Sequence, residues 1–152
     1  MDCLIGLGSN LGDRDAHLRF ALKALDALPR TRLLRRSKFR RTAPVGPPQP
    51  EYLNAAAWIQ TRLSPMGLLI ELKRLEALRG RRPGPRWGPR PLDCDLLFYG
   101  AARIKTAHLE VPHPRALSRR FVLEPLAELR PRWVPPAAPR KTLSVWLREA
   151  PR

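Results

Sequence analysis

The segment Arg86-Trp87-Gly88-Pro89-Arg90-Pro91-Leu92-Asp93-Cys94-Asp95 gathers two carboxylates, two arginines and an indole into ten consecutive residues. The run that follows it, Leu96-Leu97-Phe98-Tyr99, has the apolar and aromatic character of a strand. In a strand, residues i and i+2 share a face with Cβ atoms roughly 7 Å apart. Asp93 and Asp95 therefore point one way together with Leu97, while Cys94, Leu96 and Phe98 point the other way. Two carboxylates at that spacing repel by roughly 2 kcal/mol at an effective dielectric of about 20, and a divalent cation relieves the repulsion. So small a set of oxygen donors suits Mg²⁺, which keeps several waters and completes its shell with phosphate oxygens. Arg86 and Arg90 add forked donors for those phosphates. Gly88-Pro89 and Pro91 keep the approach to the aspartates out of any helix or central strand.

The elements that must position this segment follow from hydrophobic period and turn chemistry. Residues 2–8 form a short apolar strand, and Asp13 caps a helix marked by Leu18, Ala21, Leu22, Leu25 and Leu28 and ended by Pro29. Residues 32–41 read as one strand, and the proline-rich stretch 42–50 as loop. Residues 52–61 read as a third strand, with Leu53, Ala55, Ala57 and Ile59 on one face and Tyr52, Asn54, Ala56 and Trp58 on the other. Ser64-Pro65 opens a second helix carrying Leu68, Leu69, Leu72 and Leu75, and Gly80 stops it. With the Asp93 strand the order is βαββαβ, an α+β ferredoxin-like sandwich in which two helices cover one face of an antiparallel sheet and the other face stays free. A C-terminal third extends it, with a helical patch at 117–129 and a last short helix around Leu143, Trp146 and Leu147.

A chain of 152 residues is expected to form a single domain, 1–152, with a sizeable core. No run is long and apolar enough for a membrane span, and no export signal is evident. Cys3 and Cys94 sit in apolar strands rather than in a disulfide framework or metal cluster, so a cytoplasmic protein is expected. The net charge of +16 points to an anionic partner, with nucleotides and phosphate esters weighed against RNA. The charge is clumped. Arg30, Arg32, Arg35, Arg36, Lys38, Arg40 and Arg41 read as a charged edge strand guarded against pairing with other chains. Arg79, Arg81, Arg82, Arg86 and Arg90 fall in a Pro/Gly-rich loop.

Gly6-Leu7-Gly8-Ser9-Asn10-Leu11-Gly12 matches neither standard phosphate-loop spacing and reads as a tight turn. His113, with Arg115, Arg119 and Arg120 after it, makes a cluster able to grip phosphate. Tyr52 and Asn54 offer a flat ring and an amide from one strand face.

Five segments together resemble the 6-hydroxymethyl-7,8-dihydropterin pyrophosphokinases of folate biosynthesis: Leu7-Gly8-Ser9-Asn10-Leu11-Gly12, Arg41-Thr42-Ala43-Pro44-Val45-Gly46, Tyr52-Leu53-Asn54-Ala55, the Arg86 to Asp95 run, and Val111-Pro112-His113-Pro114-Arg115 with Arg119 to Leu123. The resemblance implies pyrophosphate transfer from ATP to the pterin hydroxymethyl group, with AMP as the other product. It implies that Asp93 and Asp95 hold two Mg²⁺ ions and that Arg81 and Arg90 act with them on the reacting phosphates. Glu76, Arg82, Arg90, Leu96, His113 and Arg119 would bind ATP; Thr42, Val45, Tyr52, Asn54, Trp87 and Phe121 would bind the pterin. The small molecules ATP and hydroxymethyl-dihydropterin are then the partners of a monomer, and a basic RNA-binding α+β module is the alternative. Two departures stand out. Pro83 replaces the second arginine of the family's arginine loop, leaving Arg82 or Arg86 to substitute, and Lys73 stands where the family commonly has glutamine.

Overall fold

A computed structural model describes residues 1–44, 46–81, 84 and 88–152. The expectations for Val45, Arg82, Pro83, Arg86 and Trp87 lie outside the described residues.

The elements run β1 (Asp2–Ser9), α1 (Arg14–Ala27), β2 (Thr31–Arg36), β3 (Arg40–Thr42), β4 (Tyr52–Thr61), α2 (Pro65–Leu78), β5 (Asp93–Tyr99), β6 (Ile104–Lys105), β7 (Glu110–Val111), α3 (Arg120–Leu129) and α4 (Leu143–Glu149). The main sheet is antiparallel with order β2-β4-β1-β5, and β3 pairs with β4 on the same edge as β2. This is the α+β ferredoxin-like arrangement. Both helix starts carry their expected caps: Asp13 Oδ1 accepts from the Ala16 amide at 3.1 Å, and Ser64 Oγ accepts from the Gly67 amide at 3.0 Å. Gly80, at φ 89°, ends the turn after α2, a conformation open to glycine at little cost.

The expected single strand over 32–41 is in fact two. Ser37 interrupts it: its amide donates to the Ala56 carbonyl at 2.9 Å, while its hydroxyl accepts from the Ala56 amide at 2.8 Å. A side-chain oxygen thus replaces a backbone carbonyl in the ladder, and the chain gains an extra residue before pairing resumes at Arg40 opposite Asn54. The charged outer strand does lie at the sheet edge, as its composition implied.

Two cores flank the sheet. Cys3, Ile5, Leu7, Ala55, Ala57, Ile59, Cys94 and Leu96 pack with Leu18, Leu22 and Leu25 of α1 and Leu68, Leu72 and Leu75 of α2. The opposite face was expected to be open, but Leu4, Ala56, Leu97 and Phe98 pack there with Leu123, Leu126 and Leu143 of α3 and α4. The C-terminal third therefore covers one end of that face, because α3 and α4 need somewhere to bury their leucines. Phe98 was assigned to the helix side by simple alternation. A bulge at Leu4/Ile5 opposite Leu97 puts Leu97 and Phe98 on one side, so Phe98 joins the second core and meets Trp133 edge-on at 5.0 Å.

The helical patch expected over 117–129 starts only at Arg120, after a turn built on His113 and Arg115 carbonyls. Arg40 ties α3 to the sheet edge, with Nη2 2.9 Å from Glu128 Oε1 and Nε 3.8 Å from Glu124 Oε2.

Candidate functional site

The end of the sheet face left uncovered by α3 and α4 forms a cleft of about 340 Å³. Register explains its floor. Asn54, Gly8 and Asp93 lie in one row across β4, β1 and β5, and Ala56, Gly6 and Asp95 lie in the next. The central strand thus presents two glycines between a polar strand and an acidic one. Side chains there would crowd the cleft: a Cβ on Gly8 would stand 2.9 Å from Asn54 Oδ1 and 3.4 Å from Tyr52 Cδ1, and one on Gly6 would press on Leu97 Cδ1 at 3.2 Å. The strand expected over residues 2–8 contains both glycines, and only the stretch after them is a turn. Both lie in β1 as expected, and their i, i+2 spacing within a strand is the signal of a close approach.

On the β4 side, Tyr52, Asn54 and Thr42 line the cleft. The Asn54 amide nitrogen donates to Thr42 Oγ1, which fixes the amide and leaves Oδ1 and one N–H for a ligand. Burial, then the Asp93 charge, raises the Tyr52 pKa, so the phenol stays neutral. Phe121, from the first turn of α3, lines the same cleft under the Arg119 guanidinium, 5.5 Å from its ring centre.

On the β5 side, Asp93 Oδ1 accepts from Arg81 Nη1 at 2.9 Å and lies 3.6 Å from Arg90 Nη1. Arg81 Nη1 is also 2.6 Å from Glu76 Oε2. Glu76 is buried, accepts from the Cys94 amide at 2.8 Å, and has its pKa raised chiefly by desolvation. It is a strut behind the aspartates rather than part of the cleft lining. Burial first, and then the charges of Asp93 and Glu76, push the Asp95 carboxyl up to about 7. Two adjacent carboxylates, one of them reluctant to ionise, form a donor set completed by a cation. Among the described residues no three or more His, Cys, Asp or Glu side chains are grouped to hold a metal, so the protein offers two carboxylates rather than a cage.

The third wall comes from the segment before α3. His113 donates its amide to the Leu97 carbonyl at 2.9 Å, and its Nδ1 accepts from the Arg115 amide at 3.1 Å. The proton of the neutral ring is therefore on Nε2. Burial, reinforced by Arg119, lowers the His113 pKa and keeps the ring neutral. His113, Arg115 and Arg119 line the cleft, but Arg120 leaves the expected cluster: its Nη2 donates to the Leu147 and Ala150 carbonyls at 3.1 and 3.2 Å, closing the end of α4.

Of the expected residues within the described set, Thr42, Tyr52, Asn54, Arg81, Arg90, Asp93, Asp95, His113, Arg119 and Phe121 line one cleft. Leu96 does not: its side chain is buried in the helix-side core, as its alternation with Asp95 requires. Lys73 does line the cleft, 3.6 Å from Glu76 Oε1. Asn10, read only as a turn residue, is buried and joins two rims: Nδ2 donates to Gln49 Oε1 at 2.8 Å and to the Pro50 carbonyl at 3.0 Å, and Oδ1 accepts from the Arg90 amide at 2.8 Å.

A family model described as 7,8-dihydro-6-hydroxymethylpterin-pyrophosphokinase (HPPK) matches residues 4–131. Proteins named 2-amino-4-hydroxy-6-hydroxymethyldihydropteridine pyrophosphokinase are similar to the chain. The one from Haemophilus influenzae is 46% identical over 126 residues, covering 82% of this chain and 79% of its own. The one from Synechocystis is 41% identical over 133 residues, covering 88% and 68% respectively. A solved Plasmodium falciparum structure, HPPK-DHPS wild type with SDX-DHP, superimposes with a TM-score of 0.68 over 97% of this chain and 43% of that one; at 12% identity it supports the fold. The chain belongs to the HPPK family. The RNA-binding alternative has no support, since α3 and α4 occupy much of the sheet face it would use.

Proposed function

We propose that this chain transfers pyrophosphate from ATP to 6-hydroxymethyl-7,8-dihydropterin, giving AMP and the pterin diphosphate in folate biosynthesis. The observation that carries the reading is the three-walled cleft, in which the neutral side chains of Tyr52, Asn54 and Phe121 and the paired carboxylates of Asp93 and Asp95 line one space over a glycine floor. A pterin is flat and rich in donors and acceptors. Tyr52 and Phe121 would take its faces, and the oriented amide of Asn54 with the Thr42 backbone would read its edge.

The donor set of Asp93 and Asp95 fits Mg²⁺, with two ions expected. When bound, the ions supply charge neutralisation on the triphosphate. In the reaction the hydroxymethyl oxygen forms a bond to the β-phosphorus, the bond from that phosphorus to the AMP oxygen breaks, and the hydroxyl proton is released. The residues of the chain contribute positioning and electrostatics. Arg81 and Arg90 neutralise Asp93 and stand ready to contact phosphate, His113 Nε2–H and Arg119 donate from the opposite wall, and Glu76 holds Arg81 in place. Glu76 thus serves the nucleotide site indirectly.

No helix among the described residues is long and apolar enough to cross a membrane. A cytoplasmic monomer is the form in which we expect the activity. The test is AMP release from ATP and hydroxymethyl-dihydropterin, with and without Mg²⁺. Mg²⁺-dependent AMP and pterin diphosphate in equal amounts are expected; no AMP from the folded protein would reject the reading.

A further inference from the structure

Both charged walls of the cleft carry arginines. Arg81 and Arg90 lie against Asp93, and Arg81 also against Glu76, so each is matched to a carboxylate of its own wall. Across the cleft, Arg115 and Arg119 stand together beside His113. Burial and then the charge of Arg115 lower the Arg119 pKa, with Asp95 of the opposite strand acting the other way, and at His113 burial and Arg119 come before a smaller effect of Arg115. Two guanidinium groups and the His113 ring thus line the cleft from one wall, a donor set suited to a polyphosphate.

The backbone fixes where Arg115 sits. Its amide donates to His113 Nδ1, and its carbonyl accepts from the Ser118 amide at 3.4 Å. His113 is in turn tied to Leu97 of β5, two residues beyond Asp95. Arg115 is therefore attached to the rigid sheet through one short turn. Arg120, the residue after Arg119, is committed to the carbonyls at the end of α4 and cannot take this role.

We infer that Arg115 is a further phosphate-binding residue, contacting the phosphate tail of the nucleoside triphosphate beside Arg119. The inference rests on the assignment of this cleft to a nucleotide-dependent pyrophosphoryl transfer. The Arg115 amide also sets the His113 tautomer, so side chain and main chain of one residue serve the same ligand: the guanidinium as a forked donor, the amide by turning Nε2–H outward.

The test is calorimetric binding of inorganic tripolyphosphate with Mg²⁺, and of a nonhydrolysable ATP analogue, to the wild type, Arg115→Gln and Arg115→Met, the last keeping the aliphatic stem. Both variants are expected to bind tripolyphosphate about tenfold more weakly. The deficit should shrink at high salt, and AMP binding should fall much less. KM for the pterin and the melting temperature should stay at wild-type values, which a purely structural arginine would not allow. Wild-type tripolyphosphate affinity in either folded variant overturns the inference, as does a deficit equal for AMP and ATP. Failure of the wild type to release AMP while tripolyphosphate binding still depends on Arg115 would reject the pyrophosphokinase reading and leave the phosphate contact standing.

Discussion

The two strands flanking β1 build their halves of the cleft by different physics. On the β4 side the site is neutral and shaped: Asn54 is oriented by its hydrogen bond to Thr42 of β3, and Asn54 and Tyr52 occupy the space that a side chain on Gly8 would take. On β5 it is charged and strained electrostatically: Asp93 and Asp95 repel each other, Glu76 adds a third negative charge from behind, and Arg81 and Arg90 offset part of it. A heterocycle is recognised by fit and hydrogen bonding, so its half tolerates no added volume. A metal-polyphosphate is recognised by charge, so its half tolerates no lost carboxylate. Substitutions should therefore separate the two halves.

The largest effect is expected from Asp95→Asn, which removes a charge that the phosphate half needs. AMP formation should fall by about 1000-fold or more, measured at saturating pterin and Mg²⁺. Stability should move the other way. With its folded pKa raised to about 7, Asp95 favours folding below the ordinary carboxylate range, and that contribution is lost as pH rises through about 7. In metal-free buffer on the alkaline side of that value, Asp95→Asn should melt no lower than the wild type.

Gly8→Ala attacks the other half. Its Cβ would crowd Asn54 Oδ1 and the Tyr52 ring, and KM for the pterin should rise by about 100-fold while Mg²⁺-ATP affinity changes by less than about twofold. Equal damage to both substrates would mean that the row Asn54, Gly8, Asp93 acts as one unit.

Asn10→Ala sharpens the contrast because Asn10 belongs to neither half and fastens a rim of each. Losing its bonds to Gln49, Pro50 and Arg90 should weaken both substrates by about tenfold and destabilise the fold by about 2 kcal/mol, read by steady-state kinetics and thermal melts.

The smallest effect is a pH dependence. Asp95 must give up its proton to accept a cation, so Mg²⁺ affinity should increase with pH, by about threefold over the unit of pH centred on about 7. Pterin affinity, measured without metal or nucleotide, should show no such dependence. A matching pH profile for the pterin would erase the distinction between the halves.

How far these halves were legible in the sequence follows the same division. Asp93-x-Asp95 and Tyr52-x-Asn54 announced their faces because strand period is local, and Ser64-Pro65 and Gly80 bounded α2 for the same reason. The bulge beside Leu97 was not legible, since Leu96, Leu97 and Phe98 are all apolar and alternation cannot locate an extra residue among them. Ser37 looked like any polar edge residue, and only its pairing with Ala56 reveals that its hydroxyl stands in for a carbonyl. Arg119 and Arg120 are adjacent and alike, yet one enters the cleft and the other closes α4, a choice made by the start of α3. Glu76 lay among other charges of α2, and nothing local marked it as the buried carboxylate behind Asp93.

The most direct test of separable halves is a crossed binding measurement on folded Gly8→Ala and Asp95→Asn. Calorimetry would titrate each with hydroxymethyl-dihydropterin alone and, separately, with Mg²⁺ and a nonhydrolysable ATP analogue. Gly8→Ala is expected to lose the pterin and keep the nucleotide, and Asp95→Asn to lose the nucleotide and keep the pterin. Loss of both ligands by either variant would contradict that separation.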